Sequence, residues 1–173
     1  MMGAPGTRKV RSAAASDVYR GQALGMNDTS YRNPGGLTAG GHTTSARDLA
    51  TLARRVMLDF PEYVPLYAIK RYRYPGTPKA NDTNRNLLLF RDPTVDGLKT
   101  GHTSAAGYCL VATASRPVTG LGANGQRRLL SVVLGADSQS ARATESQKLL
   151  NWGYTSFEVV RISEFGKAVI QPT

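Results

Sequence analysis

The chain has 173 residues, enough for one domain with its own core, and its composition is globular with no low-complexity tract. Twenty-two basic residues against twelve acidic ones give a net charge of +10, which suits an acidic ligand or surface. A single cysteine excludes an internal disulfide, two histidines beside it offer no zinc-site pattern, and no apolar stretch is long enough to cross a bilayer.

Residues 1–16 carry Arg, Gly and Ala without apolar periodicity and without the apolar stretch of a secretory signal, so they read as unstructured. "SDVYRGQALGM" predicts a short helix starting at Ser16, and "NDTSYRNPGGLTAGGH" is a loop by its Asn, Pro and Gly content. "TTSARDLATLARRVMLDF" is the clearest helix. Leu49, Leu52, Ala53, Val56 and Met57 share one face, Thr44 or Ser45 caps the start, and Pro61 ends it. "PEYVPLYAIKRYRYPG" then reads as extended, and "TPKANDTNRNLLLF" as a loop with a short apolar turn. Tyr72 and Tyr74 either line a groove or form a half-buried strand face.

Three strands are expected next, over 96–103, 107–115 and 127–136, the last two joined by a hairpin at "GLGANGQ". "YCLVATA" and "LLSVVLGA" are nearly continuous apolar runs, which predicts helices covering both faces, and Cys109 within the first reads as a small buried apolar group. Helical periodicity returns over 138–157, with Leu149, Trp152, Gly153, Ser156 and Phe157 on one face. "EVVRISEFGKAVIQPT" reads as two short strands around Phe165 and Gly166. The order of elements makes the chain α+β, an antiparallel sheet flanked by helices.

The chemistry gathers in "VDGLKTGHT". On an edge strand, Lys99 supplies a compact positive charge and Thr100 a hydroxyl. Gly101 removes the side chain that would block a ligand, and the free backbone can take an extended peptide by strand addition. A peptide ending in a carboxylate is the natural guest. Alone, Lys-Thr-Gly is also what an exposed strand start with a bulge glycine looks like.

The surroundings are more specific. "VDGLKTGHTSAAGYCLVATA" resembles the third active-site motif of the serine-type D-alanyl-D-alanine carboxypeptidases, the low-molecular-weight penicillin-binding proteins. "ALGMNDTSYRNPGGL", "GHTTSARDLATLARRVM", "NRNLLLFRDPTVDGLKTGHT" and "SARATESQKLLNWGYTSFE" are similar to the family's segments in the same order, from about Ala23 to the C-terminus. The resemblance implies a β-lactamase/transpeptidase-like fold incomplete at its N-terminus. Residues 1–20 match nothing, 21–160 correspond to the C-terminal part of the peptidase domain, and 161–173 to the start of a β-rich second domain.

It also implies roles. Lys99 sets a positive potential, Thr100 binds the terminal carboxylate of a peptidoglycan stem peptide ending in D-Ala-D-Ala, and Gly101 lets its backbone lie close. The N–H of His102 is one oxyanion donor, while its imidazole takes no catalytic role and lies at the surface or packs. Arg142 faces the carboxylate, although its place in the first turn of a helix opposes the helix dipole, and a flexible surface arginine is the alternative. His42 and Asp48 take structural roles. No cofactor or metal is implied, and β-lactams are expected as substrate mimics. The family works outside the cytoplasmic membrane, held by a C-terminal anchor that this chain does not show.

Two family motifs are missing. No serine here is followed by lysine three residues on, and none by asparagine two residues on. Loss of the serine nucleophile typically costs about a millionfold in turnover, so the chain alone is expected to be inactive. One face of the apolar strands is then expected to lie uncovered. A non-catalytic peptidoglycan-binding remnant is the alternative, and a nucleic-acid binder suggested by "RKVR", "ARR" and "KRYRY" ranks last because these clusters form no motif.

Overall fold

The computed structural model describes residues 21–76, 78–118 and 125–159. The helix start expected at Ser16, most of the hairpin tip, and the expected strands and second domain beyond 160 lie outside these residues. Helix α1 (Ala46–Asp59) is followed by a 3-10 turn (Pro61–Tyr63), a short helix α2 (Val64–Tyr67), a second 3-10 turn (Lys79–Asn81) and a short helix α3 (Leu88–Arg91). Strands β1 (Val95–Thr103), β2 (Gly107–Pro117) and β3 (Gln126–Ala136) then form one antiparallel sheet in that order, and α4 (Gln139–Thr155) closes the chain.

Local chemistry explains these limits. Ser45 is the N-cap of α1, its hydroxyl accepting from the Asp48 N–H at 3.1 Å. The stretch after Pro61, expected to be extended, is instead helical to Tyr67. Pro61 and Pro65 each stand in the first turn of a helical element, where proline's fixed φ favours helix entry. Extension begins only beyond it, where Arg71 bridges Thr83. Gly107 has φ +65°, and a Cβ there would stand 3.0 Å from Gly135 Cα, so glycine is what lets the start of β2 meet the end of β3.

The core lies between the sheet and α3 and α4. Leu110, Ala112 and Ala114 of β2 pack with Ala143 and Leu150 of α4 and with Leu88, Leu89 and Val95. The face of α4 differs from expectation. Arg142, Ala143, Ser146 and Leu150 are buried, whereas Leu149, Trp152 and Phe157 are exposed. A Cβ on Gly153 would sit 2.8 Å from Leu129 Cδ1, so the helix approaches β3 too closely for large side chains, and these turn outward. The double covering predicted for both long strands holds for β2, buried from Leu110 to Ala114, but on β3 only Ser131 is buried. Helix α1 lies over the other face, its Leu49, Leu52, Ala53 and Val56 lining an apolar groove with Val111.

Tyr154 ties α4 to the strands, its hydroxyl facing the Ala114 and Arg127 carbonyls at 2.7 and 3.1 Å. Arg116 stacks on that ring and reaches Asp92 at 2.8 Å and the Asn151 side chain at 2.9 Å. Burial alone would raise the Asp92 carboxyl, but hydrogen bonds from Thr94 and Arg116 hold it below the ordinary carboxylate range. Among the described residues no helix is long and apolar enough to cross a membrane.

Candidate active site

Among the described residues β1 pairs only with β2, so its outer backbone edge is open. Lys99 stands opposite Val111, Thr100 opposite Leu110, Gly101 opposite Cys109 and His102 opposite Tyr108. Side chains therefore alternate along the strand, yet the open edge lets all four residues line one cleft of about 810 Å³. Arg142 lines it too, so the five residues singled out in the sequence meet in one place.

Each has a distinct environment. Lys99 is exposed and its ammonium donates to the Thr100 carbonyl. Thr100 is half-buried. A Cβ built on Gly101 would meet only Cys109 Cβ, at 3.8 Å, so the strand surface there is open to a ligand. The His102 ring stacks on Tyr108 with centroids 4.0 Å apart, a packing role. Cys109 is half-buried rather than enclosed, and its thiol faces the Ala106 carbonyl at 3.4 Å.

Arg142 is the least expected. It is 2% exposed, which removes the surface-arginine alternative. Its guanidinium donates to the carbonyls of Gly101 at 3.0 Å, Cys109 at 3.4 Å and Arg85 at 3.0 Å, three different segments. Burial lowers its pKa, with Cys109 and Tyr108 opposing and the like charge of Arg85 adding to the fall. An arginine starts so far above neutrality that it stays charged. Among the described residues no carboxylate lines the cleft, while Arg85, Lys99 and Arg142 do, so their charge makes it positive.

The opposite wall is the Pro34–Gly35–Gly36 turn. Asn33 closes it, donating to the Leu37 carbonyl at 2.8 Å and accepting from the Leu37 N–H at 2.9 Å. The loop is fixed further along by Asp48, which accepts from the Asp28 N–H at 2.9 Å and the Thr29 hydroxyl at 2.6 Å, and by His42 Nδ1, which accepts from the Arg32 N–H at 3.0 Å. Buried Asn86 donates to the Gly97 carbonyl at 2.9 Å and accepts from the Leu88 N–H at 3.1 Å, holding segment 84–86 against β1.

Sequence reasoning missed Arg85, Tyr108 and the Pro34–Gly36 wall. Tyr108 was readable from the register once a tight turn at 104–106 is assumed, whereas nothing local marks Arg85, whose carbonyl matters more than its charge. Tyr72 and Tyr74 are not in this cleft. They are exposed and line a separate groove, so the half-buried strand face is not what forms. Among the described residues no three His, Cys, Asp or Glu side chains converge to hold a metal ion.

The sheet and its helices match solved structures of transpeptidase-like proteins. Penicillin-binding protein 6B from Escherichia coli superposes with a TM-score of 0.70 at 39% identity, over 84% of this chain and 43% of that one. Penicillin-binding protein D2 from Listeria monocytogenes, solved in a cefotaxime-bound form, gives 0.68 at 28% identity, over 82% of this chain and 55% of that one. The fold is thus that of the transpeptidase-like class, with an edge strand and a positive cleft beside it. A family model described as D-alanyl-D-alanine carboxypeptidase matches residues 19–138, and the carboxypeptidase DacD of Escherichia coli K12 is 42% identical over 149 residues, 86% of this chain. The chain belongs to the D-alanyl-D-alanine carboxypeptidase family. It spans about a third of the length of the curated relatives it matches, 36% of that DacD and 35% of the Haemophilus influenzae DacA.

Proposed function

We propose that this chain carries the carboxylate-binding side of a serine-type D-Ala-D-Ala carboxypeptidase site, working on peptidoglycan outside the cytoplasmic membrane. The observation that carries the reading is the joining of Lys99, Thr100, Gly101 and His102 with buried Arg142 in one positive cleft that no carboxylate lines among the described residues. A stem peptide ending in D-Ala-D-Ala lies along the β1 edge as an added strand. Thr100 donates its hydroxyl to the terminal carboxylate, Lys99 supplies the charge, and the His102 N–H points at the scissile carbonyl. Arg142 donates to three carbonyls, so it fixes that of Gly101 and adds its charge to the cleft.

In the full reaction a serine attacks the penultimate D-Ala carbonyl, the terminal D-Ala leaves, and water hydrolyses the acyl-serine. Neither the Ser-x-x-Lys nor the Ser-x-Asn motif occurs in these 173 residues, so this chain by itself binds without turning over. The reading involves no cofactor, and β-lactams occupy the same cleft as mimics of the peptide.

Calorimetry with a diacetylated peptide ending in D-Ala-D-Ala tests the cleft. Binding of that peptide, weakened about tenfold in T100V and absent for the L-Ala-L-Ala isomer, is expected. A fluorescent penicillin followed by denaturing electrophoresis leaves this chain unlabelled and labels a longer polypeptide that supplies Ser-x-x-Lys. Equal affinity for both isomers sinks the assignment.

A further inference from the structure

Among the described residues thirteen large apolar side chains stand exposed, and eight of them lie between residues 58 and 90. Four of these, Leu66 of α2, Ile69, Tyr72 and Tyr74, line one shallow groove of about 480 Å³. Leu66 and Tyr72 are 59% and 66% exposed. Lys70 lies over the Phe90 ring at 5.8 Å, which joins exposed Phe90 to the same arm. The arm is braced. The Tyr72 N–H donates to the Asp82 carbonyl and the Asn84 N–H to the Lys70 carbonyl, both at 2.9 Å, and the Asn84 side chain donates to the Ile69 carbonyl at 3.0 Å. Folding therefore holds a cluster of apolar side chains in water, which marks an interaction surface.

Charge and side-chain type narrow the partner. Residues 69–82 hold four exposed cations, Lys70, Arg71, Arg73 and Lys79, against one carboxylate, Asp82. Arg73 pairs with Asp82, while Lys70, Arg71 and Lys79 enter no ion pair among the described residues. Of the two other carboxylates between 58 and 90, Asp59 is held by Arg55, so Glu62 alone opposes these cations. Apolar and cationic residues interleave in Ile69-Lys70-Arg71-Tyr72-Arg73-Tyr74, so a surface that meets one kind meets the other. A nucleic acid or an acidic polysaccharide satisfies the cations but leaves Leu66 and Ile69 in water. An anionic bilayer takes both kinds. Its phosphates attract the basic heads, its headgroup layer suits a tyrosine ring with a wet hydroxyl, and aliphatic side chains reach the acyl boundary. We infer that this arm docks on an anionic phospholipid surface, with Leu66, Ile69, Tyr72 and Tyr74 entering the interface and Lys70, Arg71 and Lys79 meeting its phosphates. The contact is peripheral and stands apart from the assignment of the peptide cleft. Asn84 lines the groove and the next residue, Arg85, lines that cleft, so docking holds the cleft close to the bilayer.

Sedimentation of the whole chain with phospholipid vesicles tests this. Vesicles of phosphatidylcholine mixed with phosphatidylglycerol are expected to carry it down, and vesicles of phosphatidylcholine alone to leave it in solution. K70Q/R71Q should weaken binding about thirtyfold, the loss expected for two basic residues at an anionic surface. L66S/I69S should weaken it about tenfold through lost apolar insertion. R47Q/K148Q, which removes the same charge from exposed sites on α1 and α4, should change it less than about threefold. Circular dichroism checks the fold of each variant. A lipid spin-labelled in its acyl chain, in bicelles of the mixed composition, should broaden the amide resonances of residues 66–74 of the wild type, a readout that needs no variant. Binding that R47Q/K148Q weakens as much as K70Q/R71Q, or that L66S/I69S leaves unchanged, overturns the inference, because net charge alone then accounts for it. Broadening confined to residues outside the arm overturns it too. If wild type ignores the mixed vesicles but binds an oligouridylate through Lys70 and Arg71, the arm is a nucleic-acid surface. If it ignores them and self-associates until L66S/I69S is introduced, the arm is a contact between copies, and in either case the lipid assignment is wrong.

Discussion

Helices α1 and α4 each bury one charged residue to 2% exposure near the N-terminal end, Asp48 in one and Arg142 in the other. Asp48 agrees with its helix: an anion in the first turn meets the positive end of the dipole, and its carboxylate pins residues 28 and 29. Arg142 disagrees with its helix, where a cation costs about 0.3–1 kcal/mol, and its side-chain bonds run to carbonyls 41, 33 and 57 residues away in sequence. A buried charge that suits its own helix is accounted for by the helix. One that opposes it is accounted for only by what lies across from it, here the cleft.

Substitution of the arginine should give the largest effect. R142A strips three carbonyls of a donor and leaves a cavity, and is expected to lower stability by about 3 kcal/mol in urea titration. R142M fills the volume, so more of the stability survives, but D-Ala-D-Ala affinity falls about tenfold in both. Full affinity in R142M would reduce Arg142 to the same structural status as Asp48. Next, D48A should cost about 2 kcal/mol, since the Asp28 N–H and the Thr29 hydroxyl lose their acceptor, with peptide affinity changing less than about threefold. A loss of affinity matching that of R142M would erase the contrast between the helices.

The acid limb of stability sharpens the comparison on the α4 side. Asp92 is held below the ordinary carboxylate range, so its contribution is complete above the unfolded carboxylate pKa and disappears as pH falls through its lower folded value. D92N should therefore be less stable than wild type at pH 7, the gap closing with acid, as read by urea midpoints. The smallest effect is a gain. Ser146 Oγ is buried without a hydrogen-bond partner among the described residues, so S146A should stabilise by about 1 kcal/mol, raising the midpoint about 2–4 °C by calorimetry. An unchanged midpoint would mean that the hydroxyl costs nothing where it lies.

The three strands and α1 were legible because long apolar runs and a single amphipathic stripe are one-dimensional signals. The buried face of α4 was not, because close approach to β3 selects Ala143, Ser146 and Gly153, and bulky Leu149, Trp152 and Phe157 dominate the periodicity from outside. The helical turns after α1 were signalled by Pro61 and Pro65, yet the β-branched and aromatic residues around them weighed toward a strand. In the cleft, the lysine, threonine and glycine are contiguous and so stand out. The burial of Arg142 depends on carbonyls brought in by the fold, and no local residue choice records it.

The clamp on β1 has a kinetic corollary. Terminal strands of a sheet commonly fray, exchanging their amide protons early. Lifting Gly101 away would deprive a buried guanidinium of a carbonyl and loosen α4 and segment 84–86 with it. The open margin is therefore a stiff rail, and under the proposed reading an incoming peptide strand would meet a template whose ordering entropy was already met during folding.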